Sequence, residues 1–264
     1  MELSEKITVI VVSLNTKYDF LKTIKSIKQQ NYKNIETIVV DGDSIDGTKT
    51  EILNDDFIDQ FIIEKDNGIY DAMNKGVKIS SGDWIIFLNS GDIFFDNDVL
   101  TNINNLIEKN IDIIFGNSLI DNSKFIYKHK SNFINNKSIV MPFSHQSVLT
   151  RRNLLTHNNF DLNYNISSDF NFFLTQHVRK KKFKKINLFI SITKSGGLSD
   201  KKRITVFKEN YKILKKKNLF YKNSVNFLIT FLFLIIKKIF KIILPNYIEE
   251  MILKIKYKDR IYKK

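Results

Sequence analysis

Apolar positions in the first half of the chain alternate between two rhythms. Ile7 to Leu14 is a largely β-branched run, read as a buried strand that Ser13-Leu14-Asn15 closes. Phe20, Leu21, Ile24 and Ile27 then recur at helical spacing. Ile35 to Val40 is a second apolar run, stopped by Asp41-Gly42-Asp43, and Asp46-Gly47-Thr48 offers a helix start. A third short strand, Phe61 to Ile63, ends at Glu64-Lys65-Asp66. The pattern then predicts a helix from about Ile69 to Ile79, a tight Ser80-Ser81-Gly82-Asp83 loop and a strand from Trp84 to Leu88 that emerges at Asn89-Ser90-Gly91-Asp92. Val99, Leu100, Ile103, Leu106 and Ile107 mark another amphipathic helix, and Ile111 to Phe115 another strand.

Repeated strand–helix alternation predicts an α/β fold, a mostly parallel sheet with helices on both faces. Right-handed crossovers would bring these strand ends to one edge of the sheet, where open α/β sheets bind ligands. Asp41, Asp66 and Asp92 each follow a predicted strand, so three carboxylates from distant segments are expected to converge there. Any one of them alone is ordinary turn chemistry.

Beyond residue 116 the pattern loosens. Pro142-Phe143-Ser144-His145-Gln146 reads as an irregular stretch, and Ser167-Ser168-Asp169 precedes a helical stripe of Phe170, Phe173, Leu174, His177 and Val178. A basic run, Arg179 to Lys185, leads to a strand at Ile186 to Ile190, and Ser195-Gly196-Gly197 makes a flexible loop. From Leu219 the character changes: Phe227 to Ile236 is continuously apolar, with Lys237, Lys238 and Lys241 beside it. That run falls short of the ~20 residues that cross a hydrocarbon core. An apolar helix with a Lys-rich flank is read instead as lying in the interface of an anionic membrane.

Charge sharpens this division. The 264 residues carry a formal net charge of +14, and residues 201–264 hold 18 Lys/Arg against 4 Asp/Glu, leaving 24 of each in residues 1–200. The reading is an α/β domain over 1–200, with halves at about 1–116 and 117–200, and a basic, amphipathic helical tail over 201–264. The tail's cations accompany a block of Ile, Leu and Phe rather than single aromatics, which favours a membrane surface through 219–264 over nucleic acid. A protein–protein interface is the alternative. The absence of cysteine excludes a disulfide framework, Cys-ligated zinc and thiol catalysis. Glu2, Glu5 and a short apolar run, Val9 to Val12, do not make a signal peptide, so the expected location is cytoplasmic and peripheral on the inner face of a membrane.

Four segments carry a resemblance. Thr8 to Asn15, Val40 to Thr48, Asp66 to Gly76 and Phe87 to Asp92 resemble, in order and spacing, the successive motifs of family 2 glycosyltransferases with the GT-A fold. The similarity is closest to the branch that includes colanic-acid-type exopolysaccharide transferases, and it covers about residues 7–200. It implies nucleotide-sugar binding by Ser13, Asn15, Asp41, Asp43, Asp66, Gly68, Asn74, Asn89, Ser90 and Gly91, with the first Asp motif at the uridine base and Asp66 holding the nucleoside. It also implies Mn2+ or Mg2+ on the donor diphosphate, with Asp92 as the metal ligand. Asn89 and Gly91 stand where that family's metal motif usually has carboxylates, and Met73 stands where the following helix usually has Arg. Pro142 to Gln146 resembles a His-Gln segment of the same branch, so His145 and Gln146 are expected in the donor or acceptor pocket, with His145 also a candidate metal ligand. A hydrogen-bonded structural His is the alternative.

Asp169 resembles the family's catalytic base. An inverting transferase needs a carboxylate to take the acceptor hydroxyl's proton as its oxygen attacks the anomeric carbon. Directly before a helical stripe, Asp169 is also a good N-cap, and the two roles are compatible. Ser195-Gly196-Gly197 resembles the mobile loop beyond the base. The expectation is an inverting hexosyl- or N-acetylhexosaminyl-transferase that moves a sugar from a UDP-sugar to a lipid-linked or growing surface-polysaccharide acceptor. A sugar nucleotidyltransferase shares the architecture but needs a Gly-rich, Arg/Lys-bearing loop after the first strand, and Ser13-Leu14-Asn15-Thr16 is not one. A non-catalytic, membrane-associated nucleotide-binding protein is the third reading.

Overall fold

The computed structural model describes residues 4–243, 255 and 257–262. The predicted alternation is present as β1 (Ile7–Ser13), α1 (Lys17–Lys28), β2 (Ile35–Asp41), α2 (Thr48–Leu53), β3 (Gln60–Ile63), α3 (Ile69–Ile79) and β4 (Trp84–Phe87). There follow β5 (Ile93–Phe94), α4 (Val99–Asn104), β6 (Ile113–Asp121), β7 (Ile126–His129), β8 (Val148–Arg151) and α5 (Arg152–His157). The remaining elements are α6 (Ser168–Val178), β9 (Phe183–Lys194), α7 (Leu198–Lys201), α8 (Arg203–Lys216) and α9 (Ser224–Ile243).

All these strands join one sheet in the order β3-β2-β1-β4-β8-β6-β9-β5, with β7 paired to β6. The first four are parallel, as the alternation predicts. The sheet as a whole is mixed rather than mostly parallel. β8 inserts antiparallel between β4 and β6, and β5 pairs antiparallel with β9. β5, β7 and β8 are short, and none offers a long apolar run or strict alternation to betray it.

Continuous apolar strands bury both faces, and here two cores form. Phe20, Ile24 and Ile27 of α1, with Leu100 and Ile103 of α4, cover one face of the sheet. Tyr70, Met73 and Val77 of α3, with Phe170, Phe173 and Leu174 of α6, cover the other. Gly76 lets α3 lie close on that face, since a Cβ there would sit 2.6 Å from the Ile10 side chain.

Packing continues across residue 200. Ile213 and Leu214 of α8 are fully buried in the α3–α6 core, and the Phe227 ring of α9 packs tilted against Phe207 with ring centroids 3.9 Å apart. The opposite stripe of α9, namely Val225, Leu228, Ile229, Leu232, Ile235 and Ile236, is exposed. Among the described residues no helix is long and apolar enough to cross a membrane. The part of the expected membrane-surface segment at residues 244–254 lies outside the described residues. Beyond it the chain returns to the sheet, where Tyr257 stacks on Tyr127 of β7 at 4.0 Å and the Tyr262 amide donates to the Ile126 carbonyl.

Candidate functional site

Parallel register puts the ends of β1, β2 and β4 side by side, and their loops are tied together by short polar side chains. Asp41, fully buried, accepts the Ser44 backbone N–H and hydroxyl, both at 2.7 Å. The Ser44 hydroxyl oxygen accepts the Asn15 N–H, while Asn15 Oδ1 accepts the Ile45 N–H. Ser13 and Thr16 hydroxyls meet at 3.1 Å, and Thr16 donates on to Ser90 at 2.7 Å. Asp66 packs over Gly42, where a Cβ would lie 2.6 Å from Asp66 Oδ2, and its other oxygen accepts the Gly68 N–H. Asp43 pairs with Lys49 beside this rim. The structure therefore gathers Ser13, Asn15, Asp41, Asp66 and Ser90 into one shelf at the sheet edge.

Asn74 is placed differently. Its amide makes a reciprocal pair with the Phe160 backbone, donating to the carbonyl and accepting the N–H, both at 2.9 Å, so it staples α3 to the loop before α6. Gly91 takes a left-handed φ of 100° and gives its N–H to Thr23. Asp92 is buried behind this turn. Gln146 donates to one of its oxygens at 2.8 Å and the Lys194 N–H to the other at 3.2 Å. Burial dominates and pushes the Asp92 pKa up to about 6, against the opposing pull of Gln146 and His145.

A cavity of about 490 Å³ opens next to the shelf, lined at its floor by Tyr70, Asn89, His145, Gln146 and Asp169. Asp169 sits in the first turn of α6 and is not its N-cap as the sequence suggests: the helix starts one residue earlier, at Ser168, so Ser167 takes the cap position. Its Oδ1 accepts from the Tyr70 hydroxyl at 2.9 Å, and its Oδ2 lies 3.3 Å from His145 Nδ1. His145 Nε2 in turn lies 3.2 Å from the Asn89 amide nitrogen. With the Asn89 amide donating to Nε2, it is the Nδ1–H that faces Asp169. Both ring nitrogens thus have partners other than a metal.

Asn89 Oδ1 is buried with no hydrogen-bond partner, and among the described residues Asp92 has no Lys or Arg side chain beside it. An orphaned amide oxygen and an uncompensated carboxylate suit a hard divalent cation. Among the described residues no group of three or more His, Cys, Asp or Glu could hold a metal. A donor diphosphate would have to complete the shell.

Two residues that hold Asp169 escape sequence reasoning. Tyr70 is buried, which is the first cause of a pKa well above the ordinary phenol value, and Asp169 adds to it; the hydroxyl therefore stays a neutral donor. Glu209 of α8 reaches the loop before Asp169 and accepts three successive backbone N–H groups, from Asn165, Ile166 and Ser167. Tyr70 falls on an apolar helix stripe and reads as core. Glu209 falls in a Lys-rich helix and reads as solvated.

A carboxylate-floored cavity at the strand ends of an α/β sheet defines an enzyme of the kind that binds its substrate at the sheet edge. The chain belongs to glycosyl transferase family 2, whose profile matches residues 8–186, and it is a glycosyltransferase. The match extends to the family, not to one branch of it.

It is 27% identical over 172 residues to a PGL/p-HBAD biosynthesis glycosyltransferase of Mycobacterium tuberculosis, covering 62% of this chain and 67% of that one. It is 32% identical over 151 residues to WfgD of Escherichia coli, a UDP-Glc:alpha-D-GlcNAc-diphosphoundecaprenol beta-1,3-glucosyltransferase, covering 56% of this chain but only 54% of WfgD. Among solved structures, Staphylococcus aureus TarS 1–349 in complex with UDP-GlcNAc superposes with a TM-score of 0.63 at 15% identity over 79% of this chain and 66% of that one. The mannosyltransferase PcManGT of Pyrobaculum calidifontis, in complex with GDP-Man and Mn2+, gives 0.62 at 15% over 82% of this chain and 65% of that one. These two likenesses show the fold.

Proposed function

We propose that this glycosyltransferase moves a sugar from a UDP-sugar to a lipid-linked glycan acceptor, with inversion at the anomeric carbon. The observation that carries the reading is Asp169, a carboxylate fixed from two sides at the floor of a cavity beside the β1–β2–β4 shelf. The acceptor oxygen attacks the anomeric carbon while its proton passes to Asp169. The bond from that carbon to the diphosphate oxygen breaks, and its electron pair leaves on the nucleotide diphosphate. Attack opposite the leaving group inverts the centre, and a single carboxylate base suffices.

Tyr70 and His145 fix the carboxylate's orientation, which is how a preorganised site lowers the barrier. Asp41, Asp66 and the Asn15–Ser44 pair would form the nucleoside shelf. Asp92 and Asn89 would hold a divalent cation, Mn2+ or Mg2+, which would supply positive charge to the departing diphosphate. The exposed apolar stripe of α9, followed in sequence by Lys237, Lys238 and Lys241, fits the surface of an anionic membrane, where such an acceptor resides. WfgD, whose name specifies a lipid-diphosphate acceptor, supports this reading.

The test is nucleotide release across UDP-, GDP- and dTDP-sugars, with membrane extract as acceptor. Release from a UDP-sugar that requires both acceptor and divalent metal is the expected result. Preference for a GDP- or dTDP-sugar would overturn the donor, and acceptor-independent release would overturn the transfer.

A further inference from the structure

We propose that Lys128 and Arg260 form a subsite for the diphosphate of the acceptor. The proposal rests on the transfer reaction above and assigns its acceptor side to particular residues.

The cavity that has Asp169 at its floor runs outward to a mouth lined by β7 and by the segment around the 3-10 turn Lys258–Arg260. That segment is mounted firmly. Tyr257 stacks on Tyr127, Ile261 bridges to Tyr127, and Tyr262 donates its N–H to Ile126. The C-terminal stretch is therefore a wall of the cavity, which the tail's composition does not reveal.

Charge at the mouth is unbalanced. Lys194 is taken up by Asp19, at 2.7 and 2.9 Å, and Asp200, the carboxylate at this end, pairs with Arg203 at 2.9 Å. Lys128 lies over the Tyr262 ring, 5.9 Å from its centroid, and neither it nor Arg260 has a carboxylate partner among the described residues. His129 adds no charge, because burial first and Arg260 second push its pKa down. Lys128 and Arg260 thus line one cavity without a carboxylate partner among the described residues, although Asp259 stands in the same turn as Arg260.

A diphosphate diester carries two negative charges, and guanidinium and ammonium groups are its usual partners. The same cavity is lined by Val140, Met141, Phe143 and Leu198, with Ser144 and Asn165 offering polar atoms. A sugar held there would present its hydroxyl to Asp169 while its anomeric diphosphate reached the mouth. The nucleoside shelf lies at the ends of β1, β2 and β4, whereas these cations come from β7 and the C-terminal segment. The donor's own diphosphate is the competing source of the same chemistry.

The full-length protein, saturated with UDP, is titrated with decyl diphosphate at physiological salt and followed by calorimetry. Binding by the wild type, weakened about tenfold or more in Lys128→Ala/Arg260→Ala, is the expected result. Lys180→Ala/Lys182→Ala, which removes two charges elsewhere, should bind as the wild type does. The affinity for UDP itself should be unchanged by the Lys128/Arg260 pair. No binding to the UDP-saturated wild type, equal binding by both double variants, or a matching loss of UDP affinity would each overturn the subsite. Failure of the transfer reaction would show separately, as absence of acceptor-dependent UDP release.

Discussion

Glu209 Oε2 accepts the backbone N–H of Ser167 at 2.9 Å, two residues before Asp169. The same carboxylate takes the N–H groups of Asn165 and Ile166, so a side chain from α8 sets the path of the loop that delivers the proposed base. Removing it strands three amides in a largely buried loop. Glu209→Ala should lose about 3 kcal/mol of stability. Glu209→Gln, which keeps one acceptor oxygen, should fold, with kcat for transfer lowered and donor KM little changed. Equal kcat in Glu209→Gln and wild type would leave the residue a purely structural tie.

Asp169→Asn removes the proton acceptor but keeps shape and polarity. Transfer should fall by about 10²–10⁴, with UDP affinity retained. Tyr70→Phe deletes only the hydroxyl that meets Asp169 Oδ1 and the Ile166 carbonyl. Its kcat should drop by about tenfold, the order expected for one hydrogen bond to a charged group. Steady-state kinetics with a calorimetric UDP titration separates the two effects. Unchanged transfer in Asp169→Asn would leave it only an acidic residue in the first turn of α6.

Glu36, 3% exposed, ties β2 to Thr8 and to the Ser81 loop before β4. Burial alone would raise its pKa, but the Ser81 and Thr8 hydrogen bonds and the nearby Lys6 outweigh it and hold the group at about 2, below the ordinary 4.5. The folded carboxylate is therefore the weaker base. Its contribution is complete above about pH 4.5 and is lost as the pH falls through about 2, a difference of about 3 kcal/mol. Glu36→Gln should be less stable than wild type at neutral pH by roughly that amount. Urea unfolding at a series of pH values should show the gap closing between pH 4.5 and 2, and a constant gap would contradict the assignment.

The outer stripe of α9 offers a fold-neutral test of membrane contact, because the stripe facing Phe207 is a different one. Leu228→Glu with Leu232→Glu should leave the melting temperature unchanged. Binding to phosphatidylglycerol vesicles should weaken more than tenfold, since each Leu stands to lose about 1.5–3 kcal/mol of burial. Equal flotation of variant and wild type would remove the membrane from the picture.

Apolar runs locate β1 to β4 and α3 to within one residue at each end; β1, β2 and β4 are buried on both faces and so are dominated by apolar residues, whereas β3 is a half-exposed edge strand marked only by its short apolar run. They also deliver Asp41, Asp66 and Asp169 to loop ends. What stays hidden is pairing and partnership. β8 is too short to announce itself, and its antiparallel seat between β4 and β6 depends on both neighbours. Glu209 looks like every other charged residue of a Lys-rich helix until Asn165 to Ser167 come to meet it. Likewise, Asn74 sits in a segment resembling a nucleotide-binding motif, yet its amide closes on Phe160.

The seat of β8 also dictates an order of assembly. Ile85 finds its antiparallel neighbour only in Thr150, and the same Thr150 pairs with Ile113. During synthesis the strand edge of β4 stays open until the chain beyond Thr150 has left the ribosome. An open apolar edge is the kind that pairs with the wrong partner. The loop carrying His145 and Gln146 leads straight into β8, so seating that strand also sets these two side chains in the cavity floor.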